Sequence, residues 1–347
     1  MNLGKYYYST SKSWLHGLLG VVDRIHPGKE DYHLELDHKS RILIVRVEHL
    51  GDVVSVFPLI AMIRKQGFLG EISLMISEQS YRVFKETVPV DNCIVVPTPI
   101  MHDRSELSIL LKVLNTIRSY LMAFQVLLRV KYDVVIFPSP NLFGYQMLGL
   151  FAKASIGVSS AGFKGIHTVH VLDSGTSSVY VINRLIVNKL RTISYKFKIE
   201  NPKSYDSRSV KSFHSSQYAV VVCKSGSPLK DLRIDDLEKL LLELINRHGA
   251  TIVLLIGDYD NSHKKAILGL GMPVVLETLG RVNDLTVLTR LITGSAFVLT
   301  TDSFMSHFSS YSTESVPIYI VFYEKFPSVR WKPDGPNITV IKRFGGV

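Results

Sequence analysis

An isolated carboxylate where a buried strand hands over to a helix is well placed to take a proton from a substrate hydroxyl, and Asp52 stands at such a point. It follows the strand-like run RILIVRV through EHLG, with Gly51 directly before it and His49 two residues before the glycine. The residue type allows two roles here: a general base in a cleft, or a cap on the free N–H groups of the helix start. A second cluster, CKSGSPLKD, follows the strand-like run ending at Cys223. Ser225, Gly226 and Ser227 are small enough to let a ligand approach the backbone, and Lys230 is long enough to reach a phosphate. The glycine and Gly-Lys-Ser/Thr spacing of a Walker A loop is absent. A third cluster, TTDSFMSH, places Asp302 or Ser303 at a helix start, where free N–H groups and the helix dipole favour a diphosphate. His307 lies about one and a half turns further on, turned to a cleft or to the core.

Positioning these groups requires strands that end beneath them. From Arg41 the chain alternates short apolar runs with longer amphipathic ones. RILIVRV, EISLMIS, NCIVVP, YDVVIF and HTVHVL read as strands. GDVVSVFPLIAMIRKQ, SYRVFKETV, SELSILLKVLNTIRSYLMAFQVLLRV and LFGYQMLGLFAKA carry helical spacing. A polar, serine-rich stretch from Asn201 to Gln217 precedes a second series. Its strands are YAVVVC, TIVLLIG, PVVLE, AFVLT and VPIYIVF, and its helices IDDLEKLLLELINRHG, NSHKKAILG, DLTVLTRLITG and SFMSHFSSYS. Runs apolar throughout suit parallel strands buried on both faces. Two such series predict an α/β protein with two doubly wound, Rossmann-like domains facing across a cleft. The expected division is an extension over residues 1–39, domains over 40–205 and 217–347, and a linker over 206–216.

Composition narrows the function classes. The formal charge of +10 favours anionic partners. No RNA- or DNA-binding signature accompanies it, so nucleic acid is not expected. No strand leads into G-x-G-x-x-G, which argues against a nicotinamide dehydrogenase. Cys93 and Cys223 are far apart and lack metal-ligand spacing, which predicts reduced thiols, a cytoplasmic setting and no metal. No apolar run reaches the roughly 18 to 20 residues of a membrane span. The short WLHGLLGVV, from Trp14 to Val22, reads as a helix packed on the body or as a peripheral anchor on a membrane surface.

Taken together, the three loops follow a known order. ILIVRVEHLGDVVSVFP (with Gly51, Asp52 and Pro58), Lys230 two residues before Leu232, DSFMSH from Asp302 to His307, VPIYIVF and RWKP at Arg330 to Pro333 resemble the family 9 glycosyltransferases, the ADP-heptose:lipopolysaccharide heptosyltransferases. The likeness covers about residues 40 to 341. Leu232 replaces an aromatic of the family, and Phe304 stands where the family has glycine. The resemblance implies a GT-B architecture, with acceptor on the N-terminal side near Gly51 and His49 and nucleotide sugar on the C-terminal side. It implies Asp52 as catalytic base, and Lys230, Asp302, Ser303 and His307 around the donor phosphates. Ser225, Gly226, Ser227, Gly257 and Asp260 would form the nucleotide loops. The implied reaction is inverting transfer of a heptose or similar sugar from an ADP-sugar to a lipopolysaccharide core or other anionic glycolipid, without cofactor or metal. Two alternatives stay open: a GT-B transferase with another donor or a protein acceptor, and a nucleotide- or glycan-binding protein without catalysis.

Overall fold

The computed structural model describes residues 34–85, 87–99, 108–139, 145, 147–160, 169–173, 178–193, 218–257, 259–277, 285–323 and 332–343. The segment Trp14 to Val22, the linker 206–216 and Trp331 lie outside these residues.

Short Val- and Ile-rich runs, apolar toward both faces, need cover on both sides, and parallel pairing with helical crossovers supplies it. In the first half, β1 (Arg41–Val45), β2 (Glu71–Ser77), β3 (Asn92–Val96), β4 (Val134–Phe137), β5 (Ala154–Ser160) and β6 (Val169–Asp173) form one sheet in the order β3-β2-β1-β4-β5-β6. In the second, β7 (Tyr218–Val221), β8 (Ile252–Ile256), β9 (Val274–Glu277), β10 (Phe297–Thr301), β11 (Ile318–Tyr323) and β12 (Ile338–Arg343) pair in the order β12-β11-β10-β7-β8-β9. All these pairings are parallel; Leu43 of β1 lies opposite Ser73 and Val135, and Val221 of β7 opposite Leu255 and Leu299. Ile42, Leu43, Ile44 and Val45 are fully buried, as a central strand requires. The expectation of two doubly wound sheets holds. Strand order reverses between β1 and β4 and between β7 and β10, the places where an open sheet leaves a crevice beyond its carboxyl ends.

The helices are α1 (Leu50–Val54), α2 (Phe57–Lys65), α3 (Glu78–Phe84), α4 (Ile109–Arg129), α5 (Val179–Ile193), α6 (Ile234–His248), α7 (Asn261–Gly269), α8 (Leu285–Thr293) and α9 (Phe304–Ser312). The run GDVVSVFPLIAMIRKQ is not one helix with a proline inside it. It divides after Val54, and Pro58 sits in the first turn of α2, where its missing N–H costs no intrahelical bond. LFGYQMLGLFAKA, expected as a helix, contains a 3₁₀ turn at Met147–Phe151 and then yields to β5 at Ala154. β5 is not legible in the sequence because Ser155 and Gly157, buried alongside Ala154, Ile156 and Val158, interrupt its apolar run. The edge strand β12 and helix α5 are also additions to the expected elements.

One apolar cluster runs through both halves, joining Phe57, Ile60 and Phe84 to Met305, Phe308 and Val316. Among the described residues no helix is long and apolar enough to cross a membrane.

Candidate active site

Strand β1 ends at Val45, but the chain stays buried through Arg46, Val47 and Glu48 before turning into α1. Asp52 lies in the first turn of that helix, and its Oδ2 accepts the His49 backbone N–H at 3.0 Å. The capping role is therefore real. It occupies one carboxylate oxygen. The other, Oδ1, accepts from Arg46 Nη2 at 3.3 Å. Arg46 is fully buried, and such a guanidinium is tolerated only when its donors are answered. Nε donates to the Asp52 carbonyl at 3.0 Å and Nη1 to Glu48 Oε1 at 3.2 Å. One guanidinium thus serves two carboxylates and fixes the backbone of the turn that carries Asp52.

Glu48 is the costlier partner. Its Oε2 is buried and has no hydrogen-bond partner among the described residues. Burial above all, with the like charge of Asp52, pushes its carboxyl up to about 7, against the pull of Arg46 and Ser139. A carboxyl so placed holds its proton over much of the range where an ordinary glutamate has lost it.

The other wall is built from the carboxyl ends of β10, β7 and β8, which are neighbours in the second sheet. Asp302 follows β10, Lys230 ends the 3₁₀ turn Pro228–Lys230 after β7, and Lys230 Nζ meets Asp302 Oδ2 at 2.6 Å. Ser303 caps α9 through its hydroxyl, which accepts from the Met305 N–H at 3.3 Å. Ser225 Oγ donates to the Ser227 carbonyl at 2.7 Å and accepts the Ser227 N–H at 3.0 Å, while the Ser225 N–H donates to Asp231. Gly226 is exposed at the tip of that loop. Beyond β8, Gly257 adopts φ of 81°, a left-handed conformation that favours glycine. Asp260 starts α7 and pairs with Lys224 Nζ at 2.8 Å, which holds its carboxyl below the usual range. Lys224 also reaches Asp231 at 3.3 Å, tying the two loops together.

The walls meet at α1 and α9. A Cβ on Gly51 would lie 3.5 Å from His307 Cδ2 and 3.9 Å from the Phe304 nitrogen, so the Asp52 turn directly faces the start of α9. His307 is buried, stacks on Tyr180 of α5 and shares a 3.2 Å hydrogen bond with its hydroxyl through Nδ1. Burial pushes the imidazole down to about 4 although Asp302 and Asp52 favour its charged form. It is neutral near pH 7 and joins the two walls. Phe304 packs against Phe84 and Phe308, with ring centroids 5.9 and 5.4 Å apart, so its side chain belongs to the contact between domains. Phe57 meets Tyr311 in the same contact, and Arg184 pairs with Asp334 beside it.

No family model matches the sequence, and no curated protein matches it. Among solved structures, the chain is similar to a glycosyltransferase family 9 protein of Veillonella parvula DSM 2008. Identity is 19% over 90% of this chain and 88% of that one, with a TM-score of 0.61. It is also similar to E. coli heptosyltransferase WaaC with ADP, at 17% identity over 87% and 93% of the two chains and a TM-score of 0.58. A third likeness is to E. coli ADP-heptose lps heptosyltransferase II, at 15% identity over 87% and 90%, with a TM-score of 0.55. The fold is GT-B. At these identities the likeness speaks for architecture.

All the residues singled out from the sequence lie in loops or helix starts at the carboxyl ends of strands. Asp52, Gly51, Lys230, Asp302 and His307 converge; Gly257 and Asp260 lie to one side, at the end of β8. The sequence reading passed over Arg46, Glu48, Tyr180 and Lys224. Two of these left a signal: a fully buried strand run broken by arginine and then glutamate has to pair them with something.

Proposed function

We propose that the protein is an inverting glycosyltransferase that moves a sugar, a heptose or a close relative, from a nucleoside diphosphate, ADP in the first instance, to a hydroxyl of an anionic glycolipid. The observation that carries the reading is the close approach of the Asp52 turn to the start of α9, where Lys230 pairs with Asp302 just before that start. In the proposed step the Asp52 carboxylate takes the proton of the acceptor hydroxyl. The acceptor oxygen forms its bond to the anomeric carbon from one face while the bond from that carbon to the diphosphate oxygen breaks on the other. The diphosphate leaves with the electron pair. Its added charge is met by Lys230 and by N–H groups at the start of α9, donors already aligned before the reaction. Asp302 acts by holding Lys230, and Ser303 by shaping the helix start. His307, neutral and buried, supports the contact between the walls. Arg46 steadies the base.

The ADP bound to one similar GT-B structure, and the ADP-2-deoxy-2-fluoro heptose bound to another, also of WaaC, support an ADP-linked donor. The charge of +10 supports an anionic acceptor, and a peripheral seat on the inner face of the cytoplasmic membrane fits such an acceptor. The test is thermal stabilisation by ADP against UDP, GDP and NAD, followed by transfer from ADP-heptose in the presence of EDTA. Selective stabilisation by ADP and transfer insensitive to EDTA are expected. Loss of transfer with EDTA, restored by magnesium, would overturn the metal-free step. Stabilisation by UDP or GDP instead would change the donor.

A further inference from the structure

Helix α4 packs on the first domain through Ser119, Ala123 and Leu127, which are buried. Its opposite face is apolar and open. Leu110, Leu114, Ile117, Leu121, Phe124 and Leu128 are 69%, 51%, 51%, 58%, 38% and 58% exposed. Their spacing alternates between four and three residues, which puts all six on one stripe. The stripe is about 27 Å long at the helical rise. Phe151, also exposed, packs edge-on against Phe124 with ring centroids 4.9 Å apart and widens it. Apolar surface of this extent marks a place where something binds.

Charge selects the occupant. α4 carries Lys112, Arg118 and Arg129 and no carboxylate, and Lys131 follows its end. Arg118, Arg129 and Lys131 are exposed. A second copy on this seam would bring cations against cations, with no acid on either helix to answer them. Anionic lipid phosphates answer them, and a helix with apolar and basic faces lies in the plane of a bilayer surface. We propose that the outward stripe of α4 docks the protein onto an anionic membrane, its leucines entering the acyl boundary and Arg118, Arg129 and Lys131 meeting headgroup phosphates. α4 leads into β4, the neighbour of β1 in the sheet. Docking there would seat the first domain, which carries Asp52, on the lipid surface.

The inference does not depend on sugar transfer, because its readout is binding to vesicles. The full chain is cosedimented with phosphatidylcholine vesicles, with and without added phosphatidylglycerol. Binding to the anionic vesicles is expected, weakened by salt through the arginines. Leu114→Ser with Leu121→Ser should lower it by about 10²-fold with an unchanged melting temperature. Arg118→Glu with Arg129→Glu should remove the preference for anionic lipid. Binding that survives the leucine pair and disappears on deleting residues 1–30 would overturn the assignment. So would a concentration-dependent dimer abolished by the leucine pair, which would give the face to a second copy.

Discussion

Replacing Asp52 by asparagine separates its two roles. The carboxylate now answers two donors, Arg46 Nη2 on Oδ1 and the His49 N–H on Oδ2. Asparagine keeps one oxygen and turns an NH₂ toward the other donor, so one charge-assisted bond is lost. That costs about 1.5 to 3 kcal/mol of stability, visible as a shifted urea midpoint with an unchanged slope. In the proposed transfer the base is lost as well, and a positioned base contributes about 10²- to 10⁴-fold, equivalent to about 3 to 5 kcal/mol of barrier. The proposed donor contacts lie on the other wall, so the affinity for ADP, read by calorimetry, should change by less than about threefold. Single-turnover transfer and calorimetry on the same preparation give both numbers. Retained turnover would refute the reasoning and leave Asp52 as a cap. Equal loss of turnover and ADP affinity would show that the residue acts by holding the turn rather than by accepting a proton.

Lys230→Met leaves Asp302 buried and without its 2.6 Å partner. It should destabilise the protein by about 3 to 5 kcal/mol, and adding Asp302→Asn should restore most of that. ADP affinity should stay at least about 10-fold down in both variants; recovery of ADP binding in the double variant would exclude Lys230 as a phosphate donor. Glu48 and His307 oppose each other in acid. Glu48 is raised from 4.5 to about 7, so its contribution falls as pH rises through that interval, whereas His307 is lowered from 6.5 to about 4, so its contribution rises between those values. Each slope is about 1.4 kcal/mol per pH unit, and they cancel where they overlap. Glu48→Gln removes one of them. Urea midpoints taken across the interval should then show a gain in stability of about 3 kcal/mol with rising pH relative to the native protein. Parallel profiles would mean that Glu48 is not held protonated.

What the sequence determined was local. Continuous apolar runs demanded parallel strands, and parallel strands place their exits, with Asp52, Lys230 and Asp302, at the same end of each sheet. The two doubly wound sheets were legible for that reason. Elements whose burial is carried by small or half-exposed residues were not, as β5 and β12 show. Periodicity was also blind to the division at Val54, because both α1 and α2 bury one face in the same core. Partnerships depended on which loops the fold brings together. Lys230 is 72 residues from Asp302, and Tyr180 is 127 from His307. Phe304, which stands where the family it resembles has glycine, faces Phe84 in the other domain. The sheets brought these groups within reach. Burial at the contact then holds the His307 imidazole neutral, and a pattern along one segment contains neither the pairing nor the desolvation.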